Sequence, residues 1–178
     1  MRKIIALMGA GALLLSIAPA TLAKSPVVPP SKASASIVEI AVADGRFDTL
    51  VKAVLCADDA VLTALTSGDQ YTVFAPTDNA FGDAGLTPAN VCTTFSKADL
   101  TKILLYHVTD GRRFSNSVLP KTSNPKTIST LLGQTFKVNR TGGIATTSGA
   151  TNPSIVIANI PATNGVIHAV NAVLIPNL

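Results

Sequence analysis

The hydrophobic positions of the chain change period near its middle. Up to about Tyr106 they recur at helical spacing. Ser36-Ile37-Val38-Glu39 has the form of a capping box, in which Ser36 accepts from the Glu39 amide and Glu39 reaches back. Phe47, Leu50, Val51, Val54 and Leu55 fall at i, i+3, i+4, i+7 and i+8, which predicts a helix with a wide apolar stripe. Asp58-Asp59 opens a shorter helix carrying Val61, Leu62 and Leu65 and ending near Ser67-Gly68. Thr87-Pro88 reads as an N-cap followed by Pro at the first helical position. Ser96-Lys97-Ala98-Asp99 caps a further helix with Leu100, Ile103 and Leu104 inward. Beyond Tyr106 the pattern alternates. Thr127–Thr130 and Gln134–Asn139 read as strands, and Thr141-Gly142-Gly143 turns the chain into Ile144–Thr147. Ser154–Ile160 and Val166–Leu174 are rich in β-branched residues and are expected as central strands. Helices first and strands later predict an α+β fold, with helices mostly in the N-terminal half.

The first residues do not belong to that pattern. Met1-Arg2-Lys3 is a basic start, Ile4–Ala18 is an apolar run, and Ala18, Ala20 and Ala23 supply small residues for cleavage. The run is shorter than the roughly 20 residues of a membrane span, and no basic stop-transfer flank follows it. Residues 1–23 are therefore expected to be a signal peptide, cleaved after Ala23 or Ala20 and leaving no stable membrane span, an uncleaved N-terminal anchor being the alternative. Residues 24–34 hold three Pro and three Ser and read as an extended tether, and residues 35–178 as one domain. Export to the periplasm, the cell envelope or the medium follows.

Composition narrows the functional classes. Apolar residues make up 47% of the chain and charged ones 13%, which excludes intrinsic disorder. Removing Arg2 and Lys3 with the leader takes the formal charge from +4 to +2, too little for a nucleic-acid binder held by counterion release. With no Trp, two Tyr and six Phe, few rings are left over for a stacking platform. Cys56 and Cys92 stand 36 positions apart without CxxC or metal-ligand spacing. In an exported chain such a pair reads as a structural disulfide contributing about 3–4 kcal/mol, two reduced buried thiols being the alternative.

Two segments carry a specific likeness. Tyr71-Thr72-Val73-Phe74-Ala75-Pro76-Thr77-Asp78-Asn79-Ala80-Phe81 resembles the first signature of the fasciclin (FAS1) domain, and the run from Ile157 to Pro176, with Asn164-Gly165 and His168, resembles the second. Between them Leu104-Leu105-Tyr106-His107-Val108 resembles the family's Tyr-His segment. The likeness spans residues 35–176 and implies a wedge of β-strands with helices packed beside it. Thr72, Phe74, Pro76, Thr77, Asp78, Phe81, Asn164, Gly165 and His168 are its signature positions, expected to serve the structure. Thr77 is placed as a helix N-cap and Phe81 returns to the core. The family commonly carries Asp where this chain has Asn171, which puts any role of that charge in doubt.

Catalytic and metal constellations are missing. His107 and His168 are the only histidines, and no cluster of acids or cysteines surrounds either at ligand spacing. G-x-S-x-G, S-x-x-K, H-E-x-x-H and calcium-loop patterns are absent, and Asp58-Asp59 points two ways on a helix. No enzyme, metal or cofactor is expected. The resemblance implies a non-enzymatic adhesion or interaction module that meets a surface or matrix protein or glycan. In animal members it implies an adhesion segment, which here falls on Ile103, Leu104, Leu105, Tyr106 and His107, the alternative being that these residues are core. The alternative is a carrier of a small apolar ligand, carotenoid- or lipid-like, as in some algal proteins of similar fold. A mean hydropathy of +0.42 permits an aliphatic groove.

Overall fold

The computed structural model describes residues 33–149 and 151–178. The expected leader, and the expected tether except for Ala33 and Ser34, lie outside these residues. The chain builds α1 (Ile37–Asp44), α2 (Asp48–Cys56), α3 (Asp59–Thr66), β1 (Tyr71–Pro76), α4 (Asp78–Asp83), α5 (Val91–Thr94), α6 (Lys97–Tyr106) and β2 (Val108–Asp110). There follow α7 (Ser115–Val118), β3 (Lys126–Ser129), β4 (Thr135–Val138), β5 (Ile144–Ala145), β6 (Ile155–Ala162) and β7 (Gly165–Val170). The fold is α+β, with six of the helices before Val108.

Local signals set most of the helix starts. Ser36 accepts from the Glu39 amide while the Glu39 carboxylate accepts from the Ser36 amide, closing the box over α1. Asp58, Thr77 and Ser96 cap α3, α4 and α6. Thr87 does not cap with its side chain. Instead the Asn90 carboxamide accepts from the Thr87 amide at 2.7 Å, and the turn after Pro88 leads into α5.

Strand order cannot be read from such signals. One sheet runs β2-β1-β7-β6 and the other β3-β4-β5. β1 pairs antiparallel with β2 but parallel with β7, from Tyr71 opposite Gly165 to Pro76 opposite Val170. β7 is central, as expected, but β6 is an edge strand exposed over most of its length. Its β-branched residues report strand propensity, which does not say how many neighbours a strand has. Two register shifts along it, with Asn159 at φ 66, twist it away from regular pairing. The β6–β7 hairpin turns at Thr163-Asn164, and Gly165 is already the first residue of β7.

Alternation on β1 and β7 feeds two cores. Val73, Ala75, Ile167 and Ala169 face the helices, joining Phe47, Ala53, Val61, Val91 and Leu104. Phe74 and Val170 face the second sheet, joining Tyr106, Val118, Ile128, Phe136, Val138, Ile144 and Leu174. Each fully buried large side chain contributes about 1.5–3 kcal/mol. The α2 stripe turns inward at Phe47 and Leu50 but not at Leu55, which is 65% exposed. Ala53, Ala57 and the buried hydroxyl-bearing Thr49 occupy the inward face beside it, so the stripe is narrower than its apolar residues suggest.

Candidate functional site

The first signature segment is spent on joining elements. Thr72 is buried, and its hydroxyl donates to the Gly111 carbonyl at 2.7 Å and accepts from the Arg113 amide at 2.8 Å. Phe74 meets Phe136 edge to face, with centroids 5.0 Å apart. Pro76 closes β1, and Thr77 accepts from the Ala80 amide to start α4, which returns the buried Phe81 to the helical core. Asp78 does more than favour the positive end of its own helix. Its carboxylate accepts from the Thr49 amide at 2.8 Å and the Asp48 amide at 3.3 Å, capping α2, whose own N-cap residue Phe47 makes no side-chain bond.

The second signature segment completes the frame. The Asn164 carboxamide accepts from the Ile37 amide at 2.9 Å and donates to the Leu65 carbonyl at 2.7 Å, pinning α1 and α3 to the β6–β7 turn. His168 is buried on β7, with its ring 5.5 Å from that of Phe74. Its Nδ1 accepts from the Asn159 amide at 3.3 Å, so Nε2 carries the proton and donates to the Arg113 carbonyl at 2.8 Å. Burial lowers its pKa. Asn159 in turn accepts from the Ser115 amide at 2.7 Å and caps α7. Asn171 accepts from the Ser154 amide at 2.7 Å, a bond that a carboxamide oxygen makes without charge.

The Tyr-His segment ends α6. Ile103, Leu104, Tyr106 and His107 are buried and Leu105 is half-buried. The Tyr106 hydroxyl donates to the Thr135 carbonyl at 2.9 Å and accepts from the Thr147 amide at 3.2 Å. His107 Nε2 accepts from the Leu174 amide at 2.9 Å, which leaves the proton on Nδ1, donated to the Ile103 carbonyl at 2.7 Å. Burial pushes its pKa down to about 4, only partly offset by the bond to Ile103. Both imidazoles are therefore neutral and fully engaged by backbone. Neither has a free nitrogen for proton transfer or metal ligation. Among the described residues no three His, Cys, Asp or Glu side chains gather as a metal site would require.

Cys56, the last residue of α2, is bonded to Cys92 in α5, with Cα atoms 5.6 Å apart. The disulfide fits an exported protein. Among the described residues no helix is long and apolar enough to cross a membrane.

An open feature lies on the helical side. Val38 and Val42 of α1, Val51, Val54 and Leu55 of α2, and Leu62 of α3 line a cleft of about 150 Å³ that reaches in to Val73, Leu104 and His107. Val42 is 58% exposed at its mouth, facing the same cleft as Leu55. Helical periodicity sets Leu55 in the α2 stripe but does not place it with Val42 at a cleft. The signal that finds them is surplus: α1 reads Ile-Val-Glu-Ile-Ala-Val-Ala-Asp, more apolar than one buried face can absorb.

A family model described as the fasciclin domain matches residues 45–176. Two Synechocystis proteins are similar over 79% of the chain: sll1735, 38% identical with 97% of its own length covered, and sll1483, 37% identical with 73% covered. Transforming growth factor-beta-induced protein ig-h3 of Sus scrofa is 31% identical over 141 residues, and the match spans 19% of that longer protein. Among solved structures, a FAS1 domain pair from the insect cell adhesion molecule Fasciclin I aligns with 74% of this chain and 46% of that one, at a TM-score of 0.56 and 19% identity. That likeness is one of fold.

Proposed function

Because the chain belongs to the fasciclin domain family, we propose that it is a non-enzymatic extracytoplasmic adhesion or interaction module, one that binds surface or matrix components through surfaces outside the Tyr-His segment. One observation carries this reading. Tyr106, His107 and His168 have their polar atoms bonded to the domain's own backbone, so the groups best suited to chemistry are committed to holding the fold. Tyr106→Ala is expected to cost about 3–5 kcal/mol in denaturant melts, as an aromatic removed from a core does. His107→Ala, which orphans the Leu174 amide and the Ile103 carbonyl, is expected to cost about 1–3 kcal/mol. Loss of envelope or matrix binding in either variant at unchanged stability would place the contact on this segment instead. Export is checked by N-terminal sequencing of the mature protein, expected to start near Lys24 or Thr21.

The apolar cleft favours a second reading, a carrier of a small apolar ligand. A volume of about 150 Å³ holds a group near the size of one benzene ring. A longer polyene or acyl chain would have to continue across Val42 and Leu55 at the mouth. Absorbance and mass spectra of the protein purified from its own envelope test this. A clean protein that also fails to take up a carotenoid or fatty acid on reconstitution rules it out.

A further inference from the structure

The near-neutral charge of the domain conceals a strong partition. All ten acidic residues stand at or before Asp110. After it come Arg112, Arg113, Lys121, Lys126, Lys137 and Arg140, with no acidic side chain among them. From Ala33 to Asp110 those ten carboxylates meet only four cations, Arg46, Lys52, Lys97 and Lys102, which leaves an excess of six negative charges on the helical half. The remainder carries an excess of six positive ones. The ion pairs among the described residues, Arg46 with Asp44 and Lys102 with Asp99, both lie within the helical half.

Three of the six late cations are tied to backbone: Arg112 to the carbonyls of Ala162 and Thr163, Arg113 to that of Asp110, and Lys126 to that of Ser117. The side chains of Lys121, Lys137 and Arg140 make no hydrogen bond or ion pair among the described residues and are exposed. Lys137 stands between the buried Phe136 and Val138 of β4, so it projects from the outer face of the second sheet. Across the ladder it is paired with Thr127 on one side and Ala145 on the other. Arg140 sits in the β4–β5 turn, and Lys121 in the loop leading to Pro125. A shallow cleft of about 370 Å³ opens beside Lys137, with Pro125, Asn139, Asn152 and Ser154 also on its walls.

The chemistry of that face is selective. It offers hydroxyls, carboxamides and unpaired cations. Its aromatic residue, Phe136, is buried, so it has no stacking platform of the kind single-stranded nucleic acid uses. Leu131, the exposed apolar residue of this hairpin, stands in the turn at the opposite end of β4, which leaves no apolar wedge on the face for a lipid surface. Protein partners favour an apolar, aromatic centre, which is also lacking. We propose that the outer face of the β3–β4–β5 sheet is a docking surface for an acidic polysaccharide. Carboxylate or sulfate groups meet Lys137 and, in the adjoining turn, Arg140, and sugar hydroxyls meet Thr127, Asn139 and Asn152. The negative helical half repels the same polyanion and so orients the domain on it. The inference rests on the reading of the protein as an adhesion module and names its partner.

The test measures binding of the full chain to polygalacturonate, to heparin and to neutral dextran, at low and at near-physiological salt. Binding to one or both polyanions but not to dextran, weakening with salt, is the expected result. The double variant Lys137→Glu/Arg140→Glu should bind about tenfold or more weakly. The pair Lys52→Glu/Lys97→Glu, an equal change in net charge on the helical half, should bind as the unmodified chain does. Circular dichroism confirms that both are folded. Equal losses in the two pairs, equal binding to dextran, or tighter binding to phosphatidylglycerol vesicles or single-stranded DNA would overturn the proposal. A chain that binds neither polyanion yet still binds washed cell envelopes overturns the glycan assignment and leaves the adhesion reading standing. Failure on the envelopes as well sinks both.

Discussion

His107 stands where α6 ends and accepts the amide of Leu174 across the interior, a task only its neutral form performs. Its pKa of about 4 in the fold lies below its ordinary 6.5, so between those values the unfolded chain binds a proton that the folded chain refuses. Stability is therefore fully present above pH 6.5 and falls as the pH drops toward 4, by about 1.4 kcal/mol per pH unit for this residue. The carboxylates lowered by Ser36 and Arg46, those of Glu39 and Asp44, lose their contribution only at lower pH. His168 titrates in the same sense as His107. Urea melts at pH 7 and pH 5 are expected to differ by at least about 2 kcal/mol. His107→Gln should be less stable at pH 7 and show a distinctly smaller pH dependence; an unchanged dependence would remove His107 as its source. Gly165 is constrained differently. A Cβ there would stand 1.9 Å from the Tyr71 carbonyl oxygen, in the β1–β7 pair itself. Gly165→Ala is expected to cost more than about 4 kcal/mol, read from melts or from loss of soluble protein.

Among the elements, α2 depends on a residue 30 positions away for its start, because Asp78 supplies the acceptor that Phe47 lacks. Asp78→Ala is expected to destabilise the protein by about 1–2 kcal/mol, while Asp78→Asn, which keeps one acceptor oxygen, should cost less; chemical denaturation distinguishes them. The contrast between this cap and that of α1 shows what was legible in the sequence. Ser36 and Glu39 lie within one turn of each other, so their reciprocal bonds follow from spacing alone. Asp78 looked local and acts at a distance. The parallel pairing of β1 with β7 joins Tyr71 to Gly165, a contact without a local signature, and the edge position of β6 follows from that pairing. Which of the signature residues meet has no signal in their spacing. Hydrophobic spacing also does not separate the exposed Leu55 from the buried residues of its stripe, since it does not reveal how wide a face the neighbours cover. The charge partition at Asp110 was open to counting, but a net charge sums it away.

For the molecule as a whole, the question is what makes two cores one cooperative unit. β1 and β7 do so by presenting alternate residues to each, and the last residues of the chain do so without forming a strand. Val173 enters the helical core and Leu174 the core between the sheets. The Leu174 amide bonds His107, the Val173 carbonyl accepts from Thr151 at 2.9 Å, and Asn177 exchanges two bonds with the Gln134 side chain. This strap thus ties α6, the second sheet and both interiors together, whereas the Cys56–Cys92 bond clasps α2 to α5 within the helical side alone. The two should fail differently. Cys56→Ala/Cys92→Ala is expected to lower stability by about 3–4 kcal/mol, mainly through the unfolded chain, and to leave one transition. Leu174→Ala is expected to cost about 2–5 kcal/mol. Deleting residues 173–178 removes a side chain from each core and exposes the acceptor of His107, so cooperativity itself should go. Unfolding followed by the fluorescence of Tyr71 and Tyr106 and by far-ultraviolet circular dichroism should coincide in the full chain and the cysteine variant and separate, or vanish, in the truncated one. A truncated chain that still unfolds in one transition near the original midpoint would show that β1 and β7 join the cores without the strap.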